Sequence, residues 1–216
     1  MRIALVAALG ALALGIAGAA SGATAPKETR YVDKPDGFSI LLPPKWYAVP
    51  RSVKAVQQTI ALAKKDKLNG LPTAYSFYLT AAGKAQLKAF SFQAFLNVYP
   101  STDPLIPQVA VQISKPSSSP YKPSQLNAAA LTFGEALSQN KGAKVTKPTT
   151  TKLPAGTAKV VIATTPVGSG LTEATTLYLL IHGGKLYVLK FDIDAASFSK
   201  SAASVFRSIA QNFAFV

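Results

Sequence analysis

Side-chain catalysis draws on acids, bases and nucleophiles, and this chain is poor in most of them. It has one histidine, nine acidic residues and no cysteine in 216 positions. His182 borders Gly183-Gly184. A general base there would need an orienting acid and a nucleophile close by, and its sequence neighbours supply neither, so an exposed hairpin end is the expected setting. Asp192 and Asp194 alternate with Phe191 and Ile193. In a strand, that spacing places both carboxylates on one face, alongside Lys190. Such a pair could hold a cation weakly or flank a glycosidic bond. A solvated strand edge would carry the same pattern, and Asp194 is also placed to cap the helix that follows.

Other candidate chemistry is thinner. Gly168-Ser169-Gly170 followed by Glu173 lacks the third glycine of a dinucleotide loop and leads into a strand pattern instead of a helix. Ser169 has no nucleophile-elbow context. One histidine without cysteine argues against a zinc site, and no cofactor is implied. Phe90, Phe92, Phe95 and Tyr99 could stack bases, but only Lys88 stands beside them. Single-strand binders interleave aromatic and basic residues, so core packing is expected here and nucleic acid is not an expected partner.

Lys64, Lys65 and Lys67 form the tightest basic group, a candidate contact for an anionic surface. The formal net charge is +14, spread along the chain, which favours a general attraction to anions over one dedicated site. Trp46, the only tryptophan, with Tyr75 and Tyr78, could rim a pocket between a sheet and the helices of 52–88.

The elements that position these residues follow from periodicity. Lys34-Pro35-Asp36-Gly37 is turn chemistry, and Phe38, Ile40 and Leu42 then alternate as a strand with a buried face until Pro43-Pro44 ends it. Ser52 is a candidate N-cap for a helix with Val53, Val56, Ile60 and Ala63 on one face, closed by Asn69-Gly70. A second helix is expected over about 72–88, weakest at Gly83, although Tyr75, Phe77 and Tyr78 would also suit a strand. Strands are expected over 89–99, at Val109 to Ile113, and as one Thr-rich edge from Val145 to Leu153. Further strands run from Ala158 to Pro166 and across the Gly183-Gly184 hairpin. Helices are expected from Pro123 to Asn140 and from Ser197 to Ile209, with a closing strand at Phe213 and Phe215.

Residues 1–25 have the form of a secretory signal: Met1-Arg2, an apolar run to Ala20, and small residues around the expected cut between Ala19 and Ala25. An uncleaved anchor is the competing reading. Residues 26–216 are then expected to form one extracytoplasmic domain.

The order of these elements resembles the PsbP-like family. Asp36-Gly37-Phe38-Ser39-Ile40-Leu41-Leu42-Pro43-Pro44-Lys45-Trp46 is similar to its opening segment, and Leu153-Pro154-Ala155-Gly156 to its mid-chain turn. Gly183-Gly184-Lys185-Leu186-Tyr187-Val188-Leu189 resembles its late hairpin, and Val205-Phe206-Arg207-Ser208-Ile209 through Phe213 its last helix and closing segment. The resemblance implies an α+β fold, an antiparallel sheet with helices on both faces in an α/β/α sandwich. It brings no common catalytic set. The expectation is an exported, non-enzymatic binding or accessory protein that meets a protein partner or an anionic envelope polymer or lipid. A small-ligand module using the Trp46, Tyr75 and Tyr78 pocket is the second expectation, and an enzyme the third.

Overall fold

Alternation at Phe38, Ile40 and Leu42 builds the first hairpin, because side chains two apart share a face of a strand. The computed structural model describes residues 28–65, 71–88, 90–96, 107–114, 116, 119–168, 170–198 and 200–216. The expected leader, Lys67, the Asn69-Gly70 helix end and Ser169 lie outside them. Thr29–Asp33 (β1) pairs antiparallel with Phe38–Leu42 (β2), and all three alternating residues of β2 are buried. Gly37 closes the turn at φ +77°, where a side chain would be strained. Buried Asp33 holds the turn by accepting from the Asp36 backbone N–H at 3.1 Å and from the Arg51 guanidinium at 2.6 Å. Arg51 also donates to the Ser91 carbonyl at 3.0 Å, which ties this corner to the main sheet. Ala214–Phe215 (β11) pairs with the other side of β2.

The double proline ends β2 as a turn. The Trp46 N–H donates to the Pro43 carbonyl at 3.3 Å, and Lys45 takes φ +70°. Trp46–Ala48 (β3) then enters an eight-stranded antiparallel sheet with Phe92–Leu96 (β4), Gln108–Ser114 (β5), Lys144–Val145 (β6), Thr149–Leu153 (β7), Gly156–Gly168 (β8), Leu171–His182 (β9) and Lys185–Asp194 (β10). The order is β3-β4-β5-β10-β9-β8-β6, with β7 also pairing β8. The single Thr-rich edge expected over Val145 to Leu153 is two strands, β6 and β7, both paired to β8. Pro148 stands between them with no N–H to give a ladder.

Val53–Lys65 (α1) starts where expected, with the Ala55 N–H donating to Ser52 Oγ at 3.1 Å. The helix expected over 72–88 is broken into Leu71–Ser76 (α2), a 3₁₀ turn at Phe77–Leu79, and Ala81–Leu87 (α3). Thr80 makes the break: its backbone is extended, and its Oγ1 accepts from the Gly83 N–H at 3.1 Å, capping α3. Gly83 is required at this packing, since a Cβ there would collide with the Phe77 carbonyl.

Helices cover both faces of the large sheet. Leu126–Ser138 (α4) packs Leu126 and Ala130 on Val161, Leu177, Leu179, Leu186 and Val188. The Tyr75 and Tyr78 rings pack on Phe95, which strand register places on the same face as α4. Lys200–Gln211 (α5) lies on the opposite face, with Phe206 stacked on Phe191 at 4.9 Å. Beside it the small sheet closes down through Phe213, which stacks on Phe38 at 5.5 Å and meets Tyr187 edge-on. A 3₁₀ turn at Ala195–Ser197 occupies the place where the last helix was expected to begin. No helix of the described residues is long and apolar enough to cross a membrane.

Candidate functional site

The two carboxylates of β10 are not a solvated edge pair. β10 lies between β5 and β9, with Asp192 opposite Gln108 on one side and Thr175 on the other. Asp192 is buried and accepts from Thr175 Oγ1 at 2.7 Å, Gln108 Nε2 at 3.2 Å and Lys190 Nζ at 2.7 Å. Burial pulls the Lys190 ammonium down, but Asp192 and Glu173 together hold it above its ordinary value. Burial raises the Glu173 carboxyl, the Asp192 charge raises it further, and Lys190 opposes both. This is a closed ionic network whose acceptors are already engaged. Asp194 occupies the cap position of the following 3₁₀ turn without a side-chain capping bond.

His182 is exposed, as expected, and its ring lies flat on Phe215 at 3.9 Å and 7°. Along β9 it stands seven residues from Thr175, the partner of Asp192, about 23 Å at strand rise. The three candidate catalytic residues therefore form no constellation.

Trp46, Tyr75 and Tyr78 are core residues instead of a pocket rim, at 6%, 1% and 1% exposure. Both tyrosine hydroxyls are spent within the protein: Tyr75 donates to the Ala48 carbonyl at 2.9 Å and Tyr78 to Gln93 Oε1 at 2.7 Å. Burial raises both phenols far above their usual range. Their rings pack on Phe95 at the boundary where a pocket was the second expectation. Lys64 and Lys65 are exposed in the last turn of α1. Gly168 and Gly170 are at φ +99° and +74°, and Gly170 leads straight into strand β9 instead of a helix.

A cleft of about 470 Å³ opens on the other face, between α5 and the β7–β8–β9 edge of the sheet. Register builds its floor. Thr149 faces Val160, Val160 faces Tyr178, and Ile162 faces Thr176, so alternate residues of three strands converge. Phe206 and Phe198 from the α5 side complete an apolar base. Thr149, Thr150, Thr151, Thr176 and Ser204 also line it. Arg207, exposed on α5, is the only charged residue in the lining among the described residues. Burial pushes the Tyr178 hydroxyl up, and the nearby Arg207 charge partly opposes that. A site of this volume, with an apolar base and few directed polar groups, is of the kind that takes small molecules.

Sequence reasoning missed this cleft because its parts are distant in the chain. The available signals were the threonine run of β7 and a lone arginine beside Phe206 on the last helix.

No family model and no curated protein matches the sequence. Among solved structures, the chain is similar to cyanobacterial PsbP (CyanoP) from Synechocystis sp. PCC 6803, at 14% identity and TM-score 0.50, over 94% of this chain and 100% of that one. It is similar also to LpqN, involved in cell envelope biogenesis of Mycobacterium tuberculosis, at 14% identity and TM-score 0.51, over 88% and 91%. The fold is PsbP-like: antiparallel sheet, helices on both faces.

Proposed function

We propose that this chain is an exported, non-enzymatic accessory protein of the cell envelope, and that it works by binding an envelope component in the cleft between α5 and the sheet. The cleft itself carries the reading. Among the described residues its lining offers hydroxyl-bearing side chains, aromatic rings and one guanidinium, with no carboxylate or imidazole. Such a set can hold and orient a ligand, whereas acid–base or nucleophilic turnover needs a base within hydrogen-bond reach of the reacting group. The basic surface, at +14 overall, adds a general attraction to anionic envelope material, with Lys64 and Lys65 exposed to contribute. The likeness to LpqN, involved in cell envelope biogenesis of Mycobacterium tuberculosis, supports the setting.

The test is retention of the purified chain on isolated envelopes at about 0.1 M and about 1 M salt, where screening lengths differ roughly threefold. Retention is expected to weaken at high salt, and S204W, which fills the cleft from α5, is expected to weaken it at both. Equal retention of S204W and wild type would sink the cleft as the binding site. Retention indifferent to salt would sink the electrostatic part.

A further inference from the structure

We infer that the cleft contains an oxyanion subsite at Arg207, and that its ligand is a small hydroxylated molecule bearing a carboxylate or phosphate. This rests on the cleft being the binding site and adds the chemistry of what enters it.

Among the described residues Arg207 makes no ion pair or hydrogen bond, and no acid lines the cleft to neutralise it. Its guanidinium presents five donors in a planar fork that matches two oxygens of a carboxylate or phosphate. Such bidentate, charge-assisted pairs are stronger than neutral hydrogen bonds. Beside it, the hydroxyl of buried Tyr178 also has no hydrogen-bond partner among the described residues. That phenol stays protonated, so it can donate. Thr149, Thr151, Thr176 and Ser204 likewise spend no side-chain hydrogen bond within the described protein. Among the described residues, the unspent groups in the cleft are thus one cation and several hydroxyls over an apolar floor. A neutral apolar ligand would make no use of the guanidinium or of the hydroxyls. A cation would be repelled. An anion whose body carries hydroxyls satisfies every group.

Two sources share this chemistry, a free small acid and the headgroup of an anionic lipid. Calorimetric titration with glucuronate, glucose 6-phosphate and glucose separates charge from shape, since glucuronate and glucose differ at one carbon. Vesicles of phosphatidylglycerol and of phosphatidylcholine supply the headgroup arm. Binding of glucuronate or glucose 6-phosphate, or of phosphatidylglycerol vesicles, is expected with little response to glucose or phosphatidylcholine. R207Q is expected to weaken it at least about tenfold, and R207K to recover only part, because it keeps the charge and loses the fork. Arg207 is exposed, so both variants should melt with the wild type. Binding of glucose as tight as glucuronate, an unchanged R207Q, or no anionic probe bound at millimolar concentration would each overturn the subsite. If S204W still loses envelope retention in those cases, the cleft stands as the binding site with a different ligand chemistry.

Discussion

Glu173 shows how burial sets a charge and how a charge then sets stability. Its folded-state value lies above the ordinary 4.5, first because it is buried and then because Asp192 is near. Between the unfolded and folded values the native protein holds a proton that the unfolded chain has released. Stability therefore falls as pH rises through that window, the opposite of a salt-bridged carboxylate. E173Q removes the titration. Urea midpoints of E173Q and wild type, measured from about pH 4 to about pH 7, are expected to draw apart in favour of the variant as pH rises. A constant difference would mean that Glu173 ionises alike in both states. The sequence placed Asp192, Asp194 and Lys190 on one strand face correctly. What it could not place was the strand: β10 is central because Gln108, far earlier in the chain, and Thr175 flank Asp192. Alternation reports the face of a residue and is silent on which strands lie beside it.

At the scale of elements, the sequence is legible wherever one short stretch contains the whole cause. Ser52 caps α1, Gly183-Gly184 turns the β9–β10 hairpin, and Phe38, Ile40 and Leu42 bury one face of β2. The segment 71–88 was harder because its helical spacing competes with an aromatic content that must be buried on Phe95. The chain resolves the conflict by breaking at Thr80 and folding α3 back on the preceding turn. Gly83 sits where that return is tightest, with no room for a Cβ beside the Phe77 carbonyl. An alanine inside an ordinary helix would stabilise by about 1 kcal/mol relative to glycine. Here the sign is expected to reverse: G83A should lose about 1–3 kcal/mol through overpacking against backbone that cannot yield. Chemical denaturation of the two proteins decides it, and a stabilised G83A would show that α3 does not pack back on that turn. The cleft was illegible for a different reason, since no short stretch contains it: β7, β8, β9 and α5 each supply part of its lining.

Across the whole molecule, the two ends of the described chain are fastened to one another. β11 pairs with β2, the Val216 N–H donates to the Gly37 carbonyl at 3.2 Å, and Tyr187 in the large sheet donates to the Asp36 carbonyl at 3.0 Å. Phe213 is the hub, fully buried against Phe38, Tyr187 and Phe215. It follows α5 directly, so the same residue that joins the small sheet to the large one also anchors the helix that walls the cleft. One apolar cluster runs from Trp46 and Tyr75 through Phe191 to Phe206 and Phe213, which couples the helices near β3 to those on the far face. F213A should therefore lose about 3–5 kcal/mol and should weaken ligand binding at the cleft, although residue 213 lines no part of it. Trp46, buried and single, is the built-in reporter. If the cluster unfolds as one unit, Trp46 fluorescence and far-ultraviolet dichroism will trace the same urea transition in wild type and in F213A. A separate early dichroism transition in F213A, with Trp46 still native, would instead place the α5 face in its own cooperative unit. The cleft would then be a locally opening site instead of part of a rigid frame.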